Sequence, residues 1–395
     1  MNDNTYQKVS EHSEMSLGTE NKEESRTDEI RVAIAGLGNC ASALIMGTEY
    51  YKDITGDDAF IKGLMNPSIG GYTYKNIKIV AAFDINELKI GKDISEAIYK
   101  EPNVCQPIVP KEKMPKLGVK VHAGPILDGC APHMLDSFHC YNPDKIKESD
   151  IVKILKESRA EILCNFLPVG SYHASRAYAQ AAIDAGCGFI NCIPEFIVSE
   201  HVEGDKDWVS EFKKAGLPCA GDDIKSQVGA TISHRVLAKL FLDRGVIIKD
   251  TYQLNIGGNT DFENMKMENR LTTKRKSKTS AVTSVLPYDI ECRIGPSDYV
   301  PFLKDKKICY IRINGVTFGG LPLIADLKLR VEDSPNSAGV VCDIIRVMKL
   351  ALNRKISGRL ESISSFSFKH PHIQPPSDVL AKQWVKEFIE GKREN

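Results

Sequence analysis

Residues 30–42 read IRVAIAGLGNCAS. A short apolar, β-branched run that meets glycines is the pattern of a buried strand entering a tight turn. Gly36 is placed to make the turn, and Gly38 to let the backbone approach a pyrophosphate at the N-terminus of a helix. Asn39 and Cys40 lie in the same turn, and Ala41 stands where a third glycine often stands. The helix-like stretch ASALIMGTEYY follows directly.

Working outward, the next apolar strand is IKIVAAFDI, residues 77–85, and Asp84 sits at its end. An acid there is placed to hydrogen-bond an adenosine ribose and to disfavour a 2′-phosphate, which points to NAD rather than NADP. The separation from Gly36 to Asp84 exceeds the usual ~20 residues. KDITGDDAFIKGLMNPSIGGYTY is therefore expected to be an insertion between the first helix and the second strand. A plain strand–turn–helix junction would also carry the short glycine motif, but it would not require the acid-tipped strand.

AEILCNFLP (160–168), GFINCIP (188–194) and PCAGDD (218–223) read as further strands, with the helix-like SYHASRAYAQAAIDAG between the first two. Strands alternating with helices imply a parallel, doubly wound α/β sheet of Rossmann type. From about residue 248 the texture changes. DTYQLNIGG, YDIECRIG, KKICYIRING and LIADLKLRVED alternate with period two and have few helices between them. That pattern predicts an antiparallel sheet with one face free for subunit contacts. After DSPNSAG (333–339) comes VVCDIIRVMKLALNR, an expected amphipathic helix. The resulting division is a disordered, acid-rich tail (1–29), a Rossmann-type region (30–247), an inserted α+β region (248–332) and a helical return (333–395).

Lys+Arg and Asp+Glu balance at 52 each in 395 residues. A neutral chain lacks the broad basic surface that a nucleic-acid backbone requires, so no nucleic-acid partner is expected. Eleven cysteines occur without a CxxC pair, which tells against a metal finger or a thioredoxin motif and suits a reducing compartment. No secretory signal and no apolar run near ~20 residues is present, so no membrane partner and a cytoplasmic location are expected.

Two further stretches carry chemistry. GDDIKSQVGATISHRVLAKLF (221–241) places two acids and a lysine before a helix, and free N–H groups near Ser226 to Gly229 can receive a phosphate. An ordinary capped helix, closed by Asp222 or Ser226, satisfies the same residues. In LTTKRKSKTS (271–280), four cations occupy the five positions 274–278. On a helix, Lys274 and Lys278 share a face and can present two ammonium groups to one anion. A solvated basic helix has the same spacing. Asn259 and Asp261, just upstream on a Gly-Gly loop, would supply an adjacent polar pocket.

GLGNCAS, FLPVGS, GDDIKSQVG, GGNTDF, KRKSKT and DSPNSAG, in this order over residues 30–374, resemble the myo-inositol-1-phosphate synthase family in its shorter archaeal and bacterial form. The resemblance implies a Rossmann-type NAD domain, an inserted catalytic domain and a homotetramer. It implies isomerisation of the sugar phosphate D-glucose 6-phosphate to 1L-myo-inositol 1-phosphate by oxidation at carbon 5, enolisation, aldol ring closure and re-reduction. It further implies catalytic roles for Lys274, Lys278, Lys307, Lys369, Asp223, Asp261 and Asp333. Leu167, Pro168 and Ser171 would lie beside the nicotinamide, with Asp222 also on the cofactor side. Ser226, Gln227, Gly229 and Asn259 would hold the phosphate. Relatives are often activated by a divalent cation, for which this sequence has no spacing signature. Two departures stand out: FKHPH at 368–372, where the family usually reads Met-Lys-Ser-Pro-Pro, and Glu195, where a small or apolar residue is expected. They leave open a related cyclase that takes a ketose phosphate. A simple NAD-dependent dehydrogenase, which would accumulate NADH, is the other alternative.

Overall fold

The computed structural model describes residues 29–54, 60–135, 137–266 and 272–395, and of residues 272–275 and 296 the backbone alone. Except for Glu29, the tail expected to be disordered lies outside the described residues. In chain order the strands are β1 (Ile30–Ala35), β2 (Ile77–Asp84), β3 (Val121–Ala123), β4 (Ile162–Asn165), β5 (Gly188–Asn191), β6 (Pro218–Ala220), β7 (Ile247–Gly257), β8 (Glu291–Tyr299), β9 (Lys306–Val316), β10 (Pro322–Glu332) and β11 (Gly358–Arg359).

The first sheet has seven strands in the order β3-β2-β1-β4-β5-β6-β11, and every pairing is parallel. The order reverses between β1 and β4, and ligands of such sheets bind outside the carboxyl ends at this switch point. In β1, Ile30, Val32 and Ile34 enter one core while Ala33 and Ala35 enter the other, as a sheet covered on both faces requires. The helices Asn39–Tyr50 and Asp333–Asn353 cover the first face, and Tyr172–Ala185 lies on the second. β3 and β11, three and two residues long, are absent from the sequence reading because so short a run has no periodicity.

The helix expected after DSPNSAG begins earlier, at Asp333, so that motif forms its first two turns. Ser337 to Ala351 are buried without interruption, so this is a core helix and not the amphipathic one expected. Its buried Arg346 donates to the carbonyls of Asn66 (2.9 Å), Pro67 (3.1 Å) and Tyr72 (3.3 Å). Those bonds moor the expected insertion ahead of β2.

The second sheet runs β10-β9-β7-β8. β9 is antiparallel to both β7 and β10, but β7 and β8 are parallel, which corrects the all-antiparallel expectation. The chain between them includes the helices Thr260–Asn264 and Thr272–Thr283, and a connection of that length returns a strand in the same direction. The helix Ala230–Asp243, grouped with the first region by sequence, buries Ala230, Ala238 and Phe241 with Ile248, Ile311 and Ile313, and so shares the core of this second sheet.

Candidate active site

A cleft opens at the carboxyl ends of β1 and β4, with the second sheet forming its far wall. Gly36 adopts φ +87°, and a Cβ there would lie 2.9 Å from the Phe166 carbonyl oxygen, so only glycine fits. Gly38 is different. It caps the helix Asn39–Tyr50 in extended geometry, and a Cβ on it would meet nothing within 4 Å. The space above that helix N-terminus is open to an anion. Asn39 closes the side wall, its Oδ1 accepting from the N–H of Val104 (2.7 Å) and Cys105 (2.9 Å), while Ala41 is buried behind the turn.

Asp84 lines the cleft with both oxygens engaged: Oδ2 accepts from Leu37 N and Oδ1 from Asn86 N, each at 2.8 Å. Buried Lys89 lies 3.7 Å from Oδ2 and donates to the Leu37 carbonyl (2.7 Å) and to Asn103 Oδ1 (2.9 Å). Burial lowers the Lys89 pKa, and Asp84 opposes that shift. The Leu37 peptide is thus held at both ends, so the glycine turn is set before any ligand arrives. Cys40 also faces the cleft, but burial, reinforced by Asp333 and Asp305, pushes its thiol up to about 12, an unreactive thiol.

Leu167 and Pro168 line the same cleft, but Ser171 does not; it is a buried N-cap whose hydroxyl has no hydrogen-bond partner. Asp222 corrects the cofactor assignment more strongly. It is fully buried behind the cleft and accepts from Asn191 Nδ2 (2.7 Å), Ile197 N (3.0 Å), Ser199 N (2.9 Å) and Ser199 Oγ (2.8 Å). Burial raises its pKa and those donors oppose the shift. A carboxylate so occupied ties β5 to the chain after it and has nothing to offer a ligand.

The neighbouring Asp223 turns the other way. At φ +61° it directs its side chain into the cleft, where Lys369 Nζ donates to Oδ1 at 2.7 Å and the Ser277 hydroxyl donates to Oδ2. Ser277 belongs to the helix Thr272–Thr283, so the hydroxyl inside KRKSK docks the lysine helix onto the first sheet. Lys278 follows it and lines the cleft. Lys276 instead pairs with Glu200 at 2.7 Å on the outside. Lys274 lies on the same helix, but its side chain is outside the described residues.

Lys307, from β9, donates to Asp333 at 3.0 Å, and both line the cleft with Asp261. Burial alone would lower the Lys307 pKa; Asp333, with help from Asp261, outweighs it and the net direction is up. Lys307 therefore stays an ammonium.

On the phosphate side, Gly229 caps the helix Ala230–Asp243 and lines the cleft with Ser226, whose Oγ lies 3.3 Å from Ser337 Oγ. Gln227 faces away, its Nε2 donating to Gly63 O at 2.9 Å, so the phosphate role assigned to its side chain has no geometric basis. Asn259 lines the cleft, yet its Oδ1 caps Thr260–Asn264 and its Nδ2 donates to Asp305 at 3.1 Å. Neither departure from the family pattern reaches the cleft. Glu195 accepts from Gly170 N (2.8 Å), and His370 stacks on Phe196 with ring centroids 4.3 Å apart.

Sequence reading missed Lys89, Asn103, Gln253 and Asn255, all of which line the cleft. For the last two a signal existed. Thr251, Gln253 and Asn255 occupy the buried alternate positions of β7, where apolar residues belong.

The sequence profile described as myo-inositol-1-phosphate synthase matches residues 229–334. The inositol-3-phosphate synthase of Mycolicibacterium smegmatis is 46% identical over 370 residues, spanning 92% of this chain and 98% of that one. That of Corynebacterium glutamicum is 45% identical over 371 residues, spanning 92% and 99%. The crystal structure of a myo-inositol-1-phosphate synthase-related protein from Thermotoga maritima, 24% identical, covers 92% of this chain and 98% of its own with a TM-score of 0.73, and shares the fold. With near-full-length identity of this order, joined to the lysines and acids gathered at the glycine turn, the chain belongs to the myo-inositol-1-phosphate synthase family.

Proposed function

We propose that this protein is an NAD-dependent inositol-3-phosphate synthase that converts D-glucose 6-phosphate to 1L-myo-inositol 1-phosphate. The observation that carries the reading is the convergence of Lys278, Lys307 and Lys369 with Asp223, Asp261 and Asp333 on the cleft that holds the glycine turn. NAD fits that turn, because the space beyond Gly38 is open and the helix N-terminus behind it favours a pyrophosphate. Bound there, NAD would supply the two-electron exchange at carbon 5, outward in the first step and back in the last.

The protein's own part is to carry charge. Oxidation at carbon 5 acidifies the proton on carbon 6, and its loss leaves an enolate; attack on the carbon 1 aldehyde then makes an alkoxide. Each anion needs a placed cation or donor. Lys307, kept protonated by Asp333, suits enolate stabilisation and not proton abstraction. Lys369, aligned by Asp223, suits the carbon 1 oxygen, and Lys278 the phosphate or the carbon 5 oxygen. Lys274 remains assigned by family resemblance. Ser226 and Gly229 at the helix N-terminus suit the phosphate.

We assign oligomerisation to the inserted region, 248–332, as a homotetramer using the outward face of the second sheet, where Leu254, Tyr310 and Ile324 are exposed. Light scattering of the purified protein tests it. Among the described residues, no three His, Cys, Asp or Glu side chains gather in a metal-holding group, so an activating divalent cation would be shared with substrate oxygens. Loss of turnover on chelation, restored by Mg²⁺, is the expected sign. No helix among the described residues is long and apolar enough to cross a membrane, in keeping with a cytoplasmic enzyme.

The deciding experiment is NMR identification of the product after incubation with NAD and glucose 6-phosphate, with fructose 6-phosphate in parallel. Inositol 1-phosphate from the aldose, without accumulating NADH, is expected. A cyclic product from the ketose alone would rename the enzyme, and stoichiometric NADH would make it a dehydrogenase.

A further inference from the structure

Behind the sugar side of the cleft runs a buried polar chain that no step above uses. Thr251, Gln253 and Asn255 of β7 and His234 of the helix Ala230–Asp243 are 4%, 1%, 2% and 0% exposed. Thr251 Oγ1 lies 2.6 Å from the Arg312 carbonyl oxygen and 2.7 Å from His234 Nε2. His234 Nδ1 lies 3.4 Å from the Gln253 amide, which lies 3.2 Å from that of Asn255. Gln253 and Asn255 line the cleft, and the remaining amide end of Asn255 meets no protein partner.

A carbonyl only accepts, so the single Thr251 proton goes to Arg312, and Thr251 must in turn accept from His234 Nε2–H. The ring touches no carboxylate, and burial lowers its pKa to about 4, so it is neutral and Nδ1 is a bare acceptor. Gln253 then has to turn its NH2 toward Nδ1 and its oxygen toward the NH2 of Asn255. The opposite sense, with Gln253 Nε2 donating to Asn255 Oδ1, sets oxygen against Nδ1 and strands a buried N–H at Asn255, the rarer and costlier orphan. Amide oxygen and nitrogen are told apart by such a network alone.

We propose that Thr251 and His234 are positioning residues that act through Gln253 to aim the Asn255 carbonyl oxygen at the cleft, where it accepts a hydrogen bond from a hydroxyl of the sugar phosphate. A phosphate oxygen, a keto oxygen or an ether oxygen cannot donate to it; an unreacted hydroxyl can. On the reading above, on which this inference rests, the hydroxyls that the reaction leaves untouched are those on carbons 2, 3 and 4.

Two measurements test it. The first needs no turnover: ¹⁵N NMR of histidine-labelled protein, with the His234 signals identified by their loss in His234→Phe. A neutral ring protonated on Nε2 is expected; a proton on Nδ1, or an imidazolium, overturns the relay. The second compares kcat/KM for glucose 6-phosphate with its 2-, 3- and 4-deoxy analogues. One analogue is expected to lose tenfold to a hundredfold, as when a buried polar group is left unpaired. In Thr251→Val, His234 Nε2 loses its acceptor, the chain can reverse, and that one penalty is expected to shrink to about threefold with NAD affinity unchanged. A penalty that persists in Thr251→Val, or no discrimination among the analogues, overturns the assignment. If the wild type makes no inositol phosphate, the reaction reading fails by itself, and the ¹⁵N result still decides the relay.

Discussion

The two walls of the cleft handle charge in opposite ways. On the cofactor wall the acids are consumed internally: Asp84 by two backbone N–H groups and Asp222 by four donors, while main-chain space beyond Gly38 stays open. On the sugar wall the main chain is closed into strands and helices, and the charged side chains Lys278, Lys307 and Lys369 face the cleft. A cofactor that must bind the same way at the first and last steps is served by a fixed backbone. A substrate whose negative charge moves among carbon 6, carbon 1 and phosphate is served by several cations. Perturbing the first wall should therefore change affinity or stability, and perturbing the second should change rate.

The largest expected effect tests the second half of that contrast. Lys278→Ala should lower kcat about a hundredfold to a thousandfold, the scale of losing one placed donor to a developing anion. NAD affinity, followed by cofactor fluorescence, should stay within about twofold. A variant with near-normal kcat would remove Lys278 from the mechanism, and a parallel loss of NAD binding would dissolve the division between the walls.

Next is Asp222→Asn. An amide must turn an NH2 toward donors that now converge on a carboxylate, leaving at least one buried group unpaired. We expect roughly 2–4 kcal/mol of lost stability by urea denaturation, with KM for NAD little changed in the folded fraction. If Asp222→Asn is as stable as the parent but binds NAD poorly, Asp222 is a cofactor ligand after all.

The glycines split the cofactor wall itself. Gly36→Ala forces a side chain into φ +87° and to 2.9 Å from a backbone oxygen, so it should cost roughly 1–3 kcal/mol of stability. Gly38→Ala meets no protein atom and should leave stability within about 0.5 kcal/mol, yet it fills the space kept for the pyrophosphate and should weaken NAD binding about tenfold. Equal effects of the two substitutions on stability would break the assignment of one glycine to shape and the other to ligand.

This division also accounts for what could be read from sequence. A turn that needs glycine leaves glycine in the text, and a strand buried on both faces leaves an unbroken apolar run, so β1, β2, β4, β5 and β6 and the site of the turn were legible. The lysines were visible as a cluster, but their geometry depends on Ser277 and on the folding back of residues 333–370, contacts between segments about 50 to 150 residues apart that no local pattern records. The parallel pairing of β7 with β8 was hidden for the same reason, since alternation reports burial and not direction. Asp222 was misread because two adjacent acids look alike in sequence. The left-handed φ of Asp223, next to buried Asp222, aims one into the protein and the other into the cleft.

The smallest effect is expected where the walls meet, at Asp305. Its carboxylate accepts from Asn259 Nδ2 (3.1 Å), Ser334 N (3.1 Å) and Ser334 Oγ (2.7 Å), joining the loop that carries Asp261 to the helix turn that carries Asp333. Burial, added to by Asp333 and opposed by those donors, pushes its pKa from 3.8 up to about 6. A carboxyl whose folded pKa is raised binds a proton in the folded protein that the unfolded chain has already released. Its contribution is thus most favourable below about pH 4, declines as the pH rises toward 6, and is fully lost above that. The wild type should lose roughly 1–3 kcal/mol relative to Asp305→Asn between pH 4 and 7, read from urea midpoints at both pH values. Parallel pH profiles would mean that the three donors compensate the buried charge completely, and the junction would then belong with the saturated acids of the cofactor wall. A falling profile makes it the one acid whose desolvation is left partly unpaid, held at the boundary because a single carboxylate there fixes Asp261 and Asp333 against each other.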